Sequence, residues 1–408
     1  MAHEPPPAAV SVDDVTAAAK ILDGVVRRTP LVRSRALTDR LGGPVHLKCE
    51  NLQRGGSFKL RGAYTRMSRM PAAQRERGVV AASAGNHAQG VAIAARELGI
   101  AVRVFMPAGA PLPKLAATRG YGAEVEIAGM TVDEALVAAR EYSARTGAVL
   151  IHPFDHVDVV AGQGTVGLEI LEQCPDVRTV LVSAGGGGLL AGICVAVRSL
   201  RPDVRVLGVQ AEGAASYPPS LAAGAPQALE VMTTMADGIA VGLPGDVPFG
   251  LVDDLADEVL TVSEDLISQA LLLLLERQKL LVEPAGAAAV AALLDTGLDV
   301  ATPAVAVLSG GNVDPLLLMR VLRHGMASAG RYLRLHHVLP DRPGALAGLL
   351  GQLAEVDANV LEVEHVRTGP RLPVNDVEIA VWVETQGPEH CVRVLESLRA
   401  SGYRVAVG

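Results

Sequence analysis

Apolar positions recur along most of this chain in short β-branched runs that alternate with alanine- and leucine-rich stretches of helical period. The spacing predicts strands at Val45–Cys49, Val79–Ser83, Val102–Met106, Glu124–Ile127, Thr179–Ser183, Val204–Val209 and Ala304–Leu308. Helices are predicted at His87–Leu98, Val132–Ala144, Leu189–Leu200 and Gly286–Leu294, with a first one at Val12–Leu22 behind Ser11 and an acidic opening turn, Asp13 and Asp14. Strands joined through helices imply right-handed crossovers and a mainly parallel sheet. In such α/β sheets the loops at the carboxyl ends of the strands carry the chemistry.

The pattern changes after Gly325. Met326–Gly330 reads as a small-residue linker, followed by a strand (Arg331–Leu339), a helix (Pro343–Leu353), two strands (Ala358–Val366 and Val374–Glu384), a helix (Glu389–Ala400) and a last strand (Tyr403–Val407). This βαββαβ order is that of a ferredoxin-like unit. The expected organisation is a proline-rich disordered tail over 1–10, a first region over 11–325, a linker over 326–330 and an appended domain over 331–408.

Composition narrows the class. With 408 residues, 50% of them apolar and 20% charged, the chain is long enough for two or three domains and too apolar to be disordered. Its 36 basic against 44 acidic residues give a net charge of −8, so no basic surface points to nucleic acid or an anionic membrane. Cys49, Cys174, Cys194 and Cys391 are far apart and form no C-x-x-C pair, which suggests reduced thiols and a cytoplasmic protein. The uncharged stretch between Arg178 and Arg198 is long enough to cross a bilayer, but Gly185 to Gly188 split it, so strand, loop and helix fit better. His152 and His156 have the i,i+4 spacing of a helical zinc pair, and Pro153 spoils that helix. No metal is expected.

Four segments carry chemistry. Only five of the 36 basic residues are lysines: Lys20, Lys48, Lys59, Lys114 and Lys279. Lys20 and Lys279 fall in amphipathic helices, Lys48 in an alternating strand, and Lys114 behind Pro111 and Pro113 at a helix start. These four read as solvated surface heads on apolar stems. Lys59 lies in Gly55-Gly56-Ser57-Phe58-Lys59-Leu60-Arg61-Gly62-Ala63, where the glycines free the backbone and Ser57 can cap the following helix. A lysine in a first turn faces the positive end of the helix dipole, which lowers its pKa toward that of a nucleophile or base. An exposed first-turn lysine fits the same motif.

The second segment, Ser83-Ala84-Gly85-Asn86-His87-Ala88-Gln89-Gly90, offers successive backbone amides where a helix begins, a nest suited to a carboxylate or simply an ordinary turn. The third, Gly185-Gly186-Gly187-Gly188, opens a helix after a strand and suits phosphate. Its Gly186-x-Gly188-x-x-Ala191 spacing, with Glu212 ending the next strand, also matches a nicotinamide-dinucleotide fingerprint, and tight packing is a third reading. Ser309, in Ser309-Gly310-Gly311-Asn312, ends a further strand and would share the same rim, where its hydroxyl could meet a buried ring nitrogen.

Taken together these segments resemble the pyridoxal-phosphate enzymes of the tryptophan-synthase-like fold, most closely threonine dehydratases (threonine ammonia-lyases) with a C-terminal regulatory ACT domain. The resemblance runs from about residue 15 to the end. It implies two parallel-sheet lobes, the smaller, about 52–155, inserted in the larger, and the cofactor pyridoxal 5'-phosphate. It further implies that Lys59 bonds the cofactor covalently, that Phe58 packs on its ring and Asn86 bonds its 3-hydroxyl. Gly185, Gly186, Gly187, Gly188 and Leu189 would take the phosphate and Ser309 the ring nitrogen, while Ser83, Ala84, Gly85, Asn86 and His87 would take the substrate carboxylate. A neutral serine at the ring nitrogen favours loss of a β-substituent over a fully delocalised carbanion. Glu283 matches a family position near the ring, and fits equally a helix-start acid before Pro284.

Two departures bear on the activity. Related serine racemases have an acidic serine where this chain has Ala84, which disfavours racemisation. Relatives that bind a cation have carboxylates where this chain has Gln210 and Ser216. In the appended domain, Asp341-Arg342-Pro343-Gly344-Ala345-Leu346 resembles the first turn of ACT domains and Asn359-Val360-Leu361-Glu362-Val363 their second strand. That implies a branched-chain amino acid as effector near Gly344 and Asn359; a dimerisation module without ligand fits as well. The expectation is a homotetramer or homodimer that converts threonine to 2-oxobutyrate and ammonia for isoleucine synthesis. The rivals are a serine or hydroxyaspartate dehydratase, a nicotinamide-dependent oxidoreductase and a non-catalytic amino-acid sensor.

Overall fold

The computed structural model describes residues 10–367 and 372–407. It divides between Leu318 and Met319 into two compact units. The expected tail lies outside the described residues except for Val10, which is buried in the core just ahead of the Ser11 cap. Residues 326–328 do not act as a linker. They continue the helix Pro315–Ser328, because Leu317, Val321 and Gly325 keep its apolar period going.

The first unit is built on two sheets. Strands β1 (Leu31–Arg33), β2 (Val45–Lys48), β3 (Val79–Ala82), β4 (Val102–Met106), β5 (Glu124–Ile127), β6 (Val149–Leu150), β7 (Thr179–Ser183), β8 (Arg205–Ala211), β9 (Glu258–Val262) and β10 (Ala304–Val307) follow in chain order. The larger sheet runs β1-β2-β10-β7-β8-β9, parallel except for β1, and the smaller runs β5-β4-β3-β6, parallel throughout. All the strands of the smaller sheet fall between β2 and β7 in the chain, so one sheet is inserted in the connection of the other. The central strands β3, β7 and β10 are buried along their whole length, which is why they read as continuous apolar runs. β1, β6 and β9 escaped the sequence reading. They are edge strands, two of them only two or three residues long, and β9 is partly exposed.

Three helices beneath the cleft touch through glycine. A Cβ on Gly62 would lie 2.8 Å from Val159 O, one on Gly162 2.6 Å from Arg61 O, and one on Gly164 2.7 Å from Gly192 O. The helices Lys59–Ser68, Val157–Gln173 and Gly188–Leu200 therefore meet backbone to backbone. Behind the first of them lies a buried ionic cluster. Arg61 donates to both oxygens of Glu50 (2.9 and 2.8 Å) and to Glu169 (2.7 Å), and Lys48 donates to Glu169 (2.5 Å), Gln173 (2.9 Å) and Thr29 O (2.8 Å). Lys48 is thus no surface head: it is fully buried, its ammonium paired with the Glu169 carboxylate from a distant helix. Lys279 is exposed as expected but sits past the end of its helix, at φ 60°.

The second unit forms strands β11 (Tyr332–Pro340), β12 (Asn359–Val366), β13 (Asp376–Glu384) and β14 (Ala406–Val407), with helices Ala345–Glu355 and Pro388–Ala400. The sheet order β12-β13-β11-β14 is antiparallel throughout, the ferredoxin-like arrangement expected. Its core joins Leu335, Ile379 and Val381 to Leu349, Leu353, Val394 and Leu398 of the two helices. Among the described residues, no helix is long and apolar enough to cross a membrane.

Candidate active site

The loops at the carboxyl ends of β3, β7 and β10 and the start of the Lys59–Ser68 helix meet in a cleft of the first unit. Ser57 does not cap that helix. It is extended (φ −163°) and bridges Gly310, while the Phe58 amide donates to Ser309 O at 3.2 Å, so the chain enters the helix along the exit of β10. Lys59 is the first helical residue. Its Nζ donates to Pro153 O at 3.0 Å and lies 5.1 Å from the centre of the Phe58 ring. Lys59 as a whole is half-buried. Burial lowers its pKa to about 8, and the nearby Glu283 opposes that shift. Loss of water around the amine favours its neutral form, with the lone pair free.

Opposite the amine, Gly85 precedes the helix Asn86–Leu98, and Ser83 Oγ accepts from the Gly85 amide at 3.0 Å. Asn86 donates to Glu283 Oε1 at 2.5 Å and accepts from Asn312 at 2.9 Å; Asn312 also donates to Gly55 O at 2.6 Å. One asparagine from the β10 loop therefore ties the lysine loop to the Ser83–Gly90 loop, a link that sequence spacing did not reveal. His87 is not free to titrate near neutrality. Its Nε2 pairs with Ile151 O at 2.7 Å, and burial lowers its pKa to about 3, so the ring is neutral and Nε2 donates. Glu283 is buried before the helix Pro284–Ala292. Burial, with Asp237 adding to it, raises its pKa to about 7, and its Oε2 has no hydrogen-bond partner among the described residues.

The glycine run follows β7. Gly187 has φ +94°, and Gly188 opens the helix Gly188–Leu200, so successive amides turn toward one point. A side chain would collide with Phe154 at Gly186 and with the Tyr217 hydroxyl at Gly187, and would crowd Ile239 at Gly185 and Phe154 at Gly188. Ser183 Oγ and Tyr217 Oη are buried beside this loop without partners among the described residues. Leu189 and Ser309 are both buried, the latter 4% exposed at the end of β10. Glu212 is exposed in the 3-10 turn after β8.

Other expectations divide. His152 Nδ1 accepts from the Asp155 amide at 2.8 Å and His156 Nδ1 accepts from the Asp158 amide at 3.1 Å, capping the helix Val157–Gln173; each ring serves the loop rather than its neighbour. Gln210 and Ser216, at the positions of the missing carboxylates, bond each other at 3.4 Å, and Gln210 accepts from the Tyr217 amide at 2.8 Å. Lys114 is corrected from surface to interior. It is 7% exposed and its ammonium meets Asp237 at 2.8 Å. In the second unit, Gly344 (φ +89°) starts the helix Ala345–Glu355, and Asn359 donates to Glu384 at 3.2 Å. The register puts them at opposite ends of the sheet, since Asn359 and Tyr332 both face Glu384 while Gly344 follows Pro340. One copy of the unit does not bring them together.

The profile of the family described as "Pyridoxal-phosphate dependent enzyme" matches residues 22–310. An L-threonine ammonia-lyase of Thermotoga maritima is 46% identical over 399 residues, spanning 98% of this chain and 99% of its own. Among solved structures, a threonine deaminase of T.th. superposes with a TM-score of 0.71 at 43% identity, covering 74% of this chain and 99% of its own. A maize serine racemase superposes at 0.74 with 34% identity, covering 77% and 97%.

Proposed function

The chain belongs to the pyridoxal-phosphate dependent enzymes, and from that premise we propose that it deaminates L-threonine to 2-oxobutyrate and ammonia by α,β-elimination of water. The observation that carries this reading is the meeting of a low-pKa amine, Lys59, with a side-chain-free glycine loop and an amide nest in one cleft. The residues fit the cofactor. Gly185 to Leu189 would hold its phosphate, with the unpartnered Ser183 Oγ beside them. Phe58 would pack on the ring, and Asn86 and Ser309 would bond its polar edge. Bound there, pyridoxal phosphate supplies an electron sink that makes the substrate's α-hydrogen acidic.

The protein's own groups do the rest. The Ser83–His87 loop binds the substrate carboxylate through main-chain amides, which orients the α-hydrogen toward Lys59. With a pKa of about 8, Lys59 Nζ takes that proton as a general base near neutral pH. Ala84 stands where related serine racemases have their acid, which disfavours reprotonation from the opposite face and hence racemisation. The β-hydroxyl then leaves as water, taking up the proton removed from the α-carbon, and the enamine that remains is hydrolysed by a further water to the 2-oxo acid and ammonia.

The finer readings are part of the same proposal: a cytoplasmic homo-oligomer at the start of isoleucine synthesis, regulated by a branched-chain amino acid. Four unpaired cysteines, three of them buried, support a reducing compartment. Gly344 and Asn359 lie at opposite ends of their sheet, so an effector using both would have to sit between two copies of the unit. The test is turnover. The purified enzyme should release 2-oxobutyrate from threonine, and Lys59→Ala should abolish both that activity and the borohydride-fixed chromophore. Full activity in the variant, or a wild-type enzyme inert toward threonine, overturns the reading.

A further inference from the structure

Lys114 Nζ donates to Asp237 at 2.8 Å, joining parts of the chain 123 residues apart. Lys114 comes from the helix Leu112–Gly120 beside the smaller sheet, Asp237 from the 3-10 turn Asp237–Ile239 that follows β8. The lysine side chain is 9% exposed and that of Asp237 52%. The pair stands against three parts of the site. Lys114 Nζ would be 3.6 Å from a Cβ on Gly85, within the Ser83–His87 loop. Gly238 packs on Ala285 with Glu283 just beyond it, and Ile239 backs Gly185 of the glycine loop. Glu283 feels both partners, its pKa raised by Asp237 and lowered by Lys114.

We propose that this pair sets the charge class of the substrate side chain. Lys114 is a specificity-determining residue whose positive charge is cancelled by Asp237, so the wall beyond the carboxylate nest is electrically neutral. An amino acid with an uncharged side chain meets no opposing field there. A second carboxylate would have to compete with Asp237 for the Lys114 ammonium, and would lie against Asp237 and Glu283 as it did so. The inference rests on the amino-acid reading of the site, and it decides against an acidic substrate such as hydroxyaspartate. Asp237→Asn would leave a buried ammonium without a counter-ion, which a dicarboxylate can then satisfy.

The experiment compares succinate with butyrate, four-carbon acids that differ by one carboxylate, by calorimetric titration of the full-length enzyme loaded with its cofactor. The wild type should bind butyrate at least as tightly as succinate. Asp237→Asn should raise the ratio of succinate to butyrate affinity by roughly 10- to 100-fold, the range expected for a hydrogen bond to a charged group. Adding Lys114→Gln should return the ratio to the wild-type level. Lys114→Gln alone leaves an uncompensated aspartate and should lower the ratio, which keeps the test decisive if Asp237→Asn does not fold. A wild type that prefers succinate, a ratio unmoved in both single variants, or a gain that survives the double substitution overturns the proposal. Turnover of threonine by the wild type separates this failure from failure of the amino-acid reading.

Discussion

Glu283 gives the sharpest test of how this cleft is held before anything binds. Its carboxyl is 2% exposed, one oxygen accepts from Asn86 and the other has no partner among the described residues, and its pKa is raised from 4.5 to about 7. The folded chain therefore keeps a proton that the unfolded chain releases between those values. The stability this confers is full below pH 4.5 and is lost as pH rises through 7. For a shift of that size, linkage gives a loss of roughly 2–3 kcal/mol between pH 5 and pH 8. Glu283→Gln keeps the shape and the Asn86 contact but has no proton to lose. Urea unfolding of the cofactor-free proteins, followed by circular dichroism from pH 5 to 8, should show the variant gaining roughly 2–3 kcal/mol on the wild type across that range. A constant offset between two parallel pH profiles would refute the assignment, since it would mean that Glu283 ionises in the folded chain as it does in water.

Other substitutions probe separate parts. Arg61→Met strands the buried carboxylate of Glu50 and should destabilise the first unit by about 3–5 kcal/mol in chemical denaturation, part of it recovered by adding Glu50→Gln. Gly187→Ala would force a side chain into a left-handed turn and against the Tyr217 hydroxyl, and should weaken pyridoxal phosphate at least about tenfold by equilibrium dialysis; Tyr217→Phe in the same chain should restore part of it. Asn359→Ala should reduce the response of threonine turnover to isoleucine by about tenfold or more while leaving turnover without effector unchanged.

How far the sequence could be read depended on the range of the interactions. Glycine-rich turns at strand ends declare themselves locally, because few other residues can adopt φ +94° at Gly187 or leave room for the Tyr217 hydroxyl. The same holds for Lys59, fixed by its place directly after a turn. Depth is another matter. Lys48 and Lys114 looked solvated because an alternating strand and a helix start mark which way a residue faces, not what covers it. Their partners Glu169 and Asp237 come from 121 and 123 residues further along the chain. Ser57 had the right residue type for a cap, but pairing with Gly310 pulled it into extended backbone instead. The short edge strands β1 and β6 lacked the length for any periodicity to show.

The contacts among Gly62, Gly162, Gly164 and Gly192 bear on what this scaffold can become. Where main chain lies on main chain, no side-chain rearrangement can absorb an added methyl group, so the height of the reactive nitrogen above the sheet is inherited rather than tuned. Randomised libraries spread over the whole catalytic unit should therefore return glycine at these four positions and diversity at the mouth of the cleft. Altered substrates would be reached by remodelling the rim, with the floor unaltered.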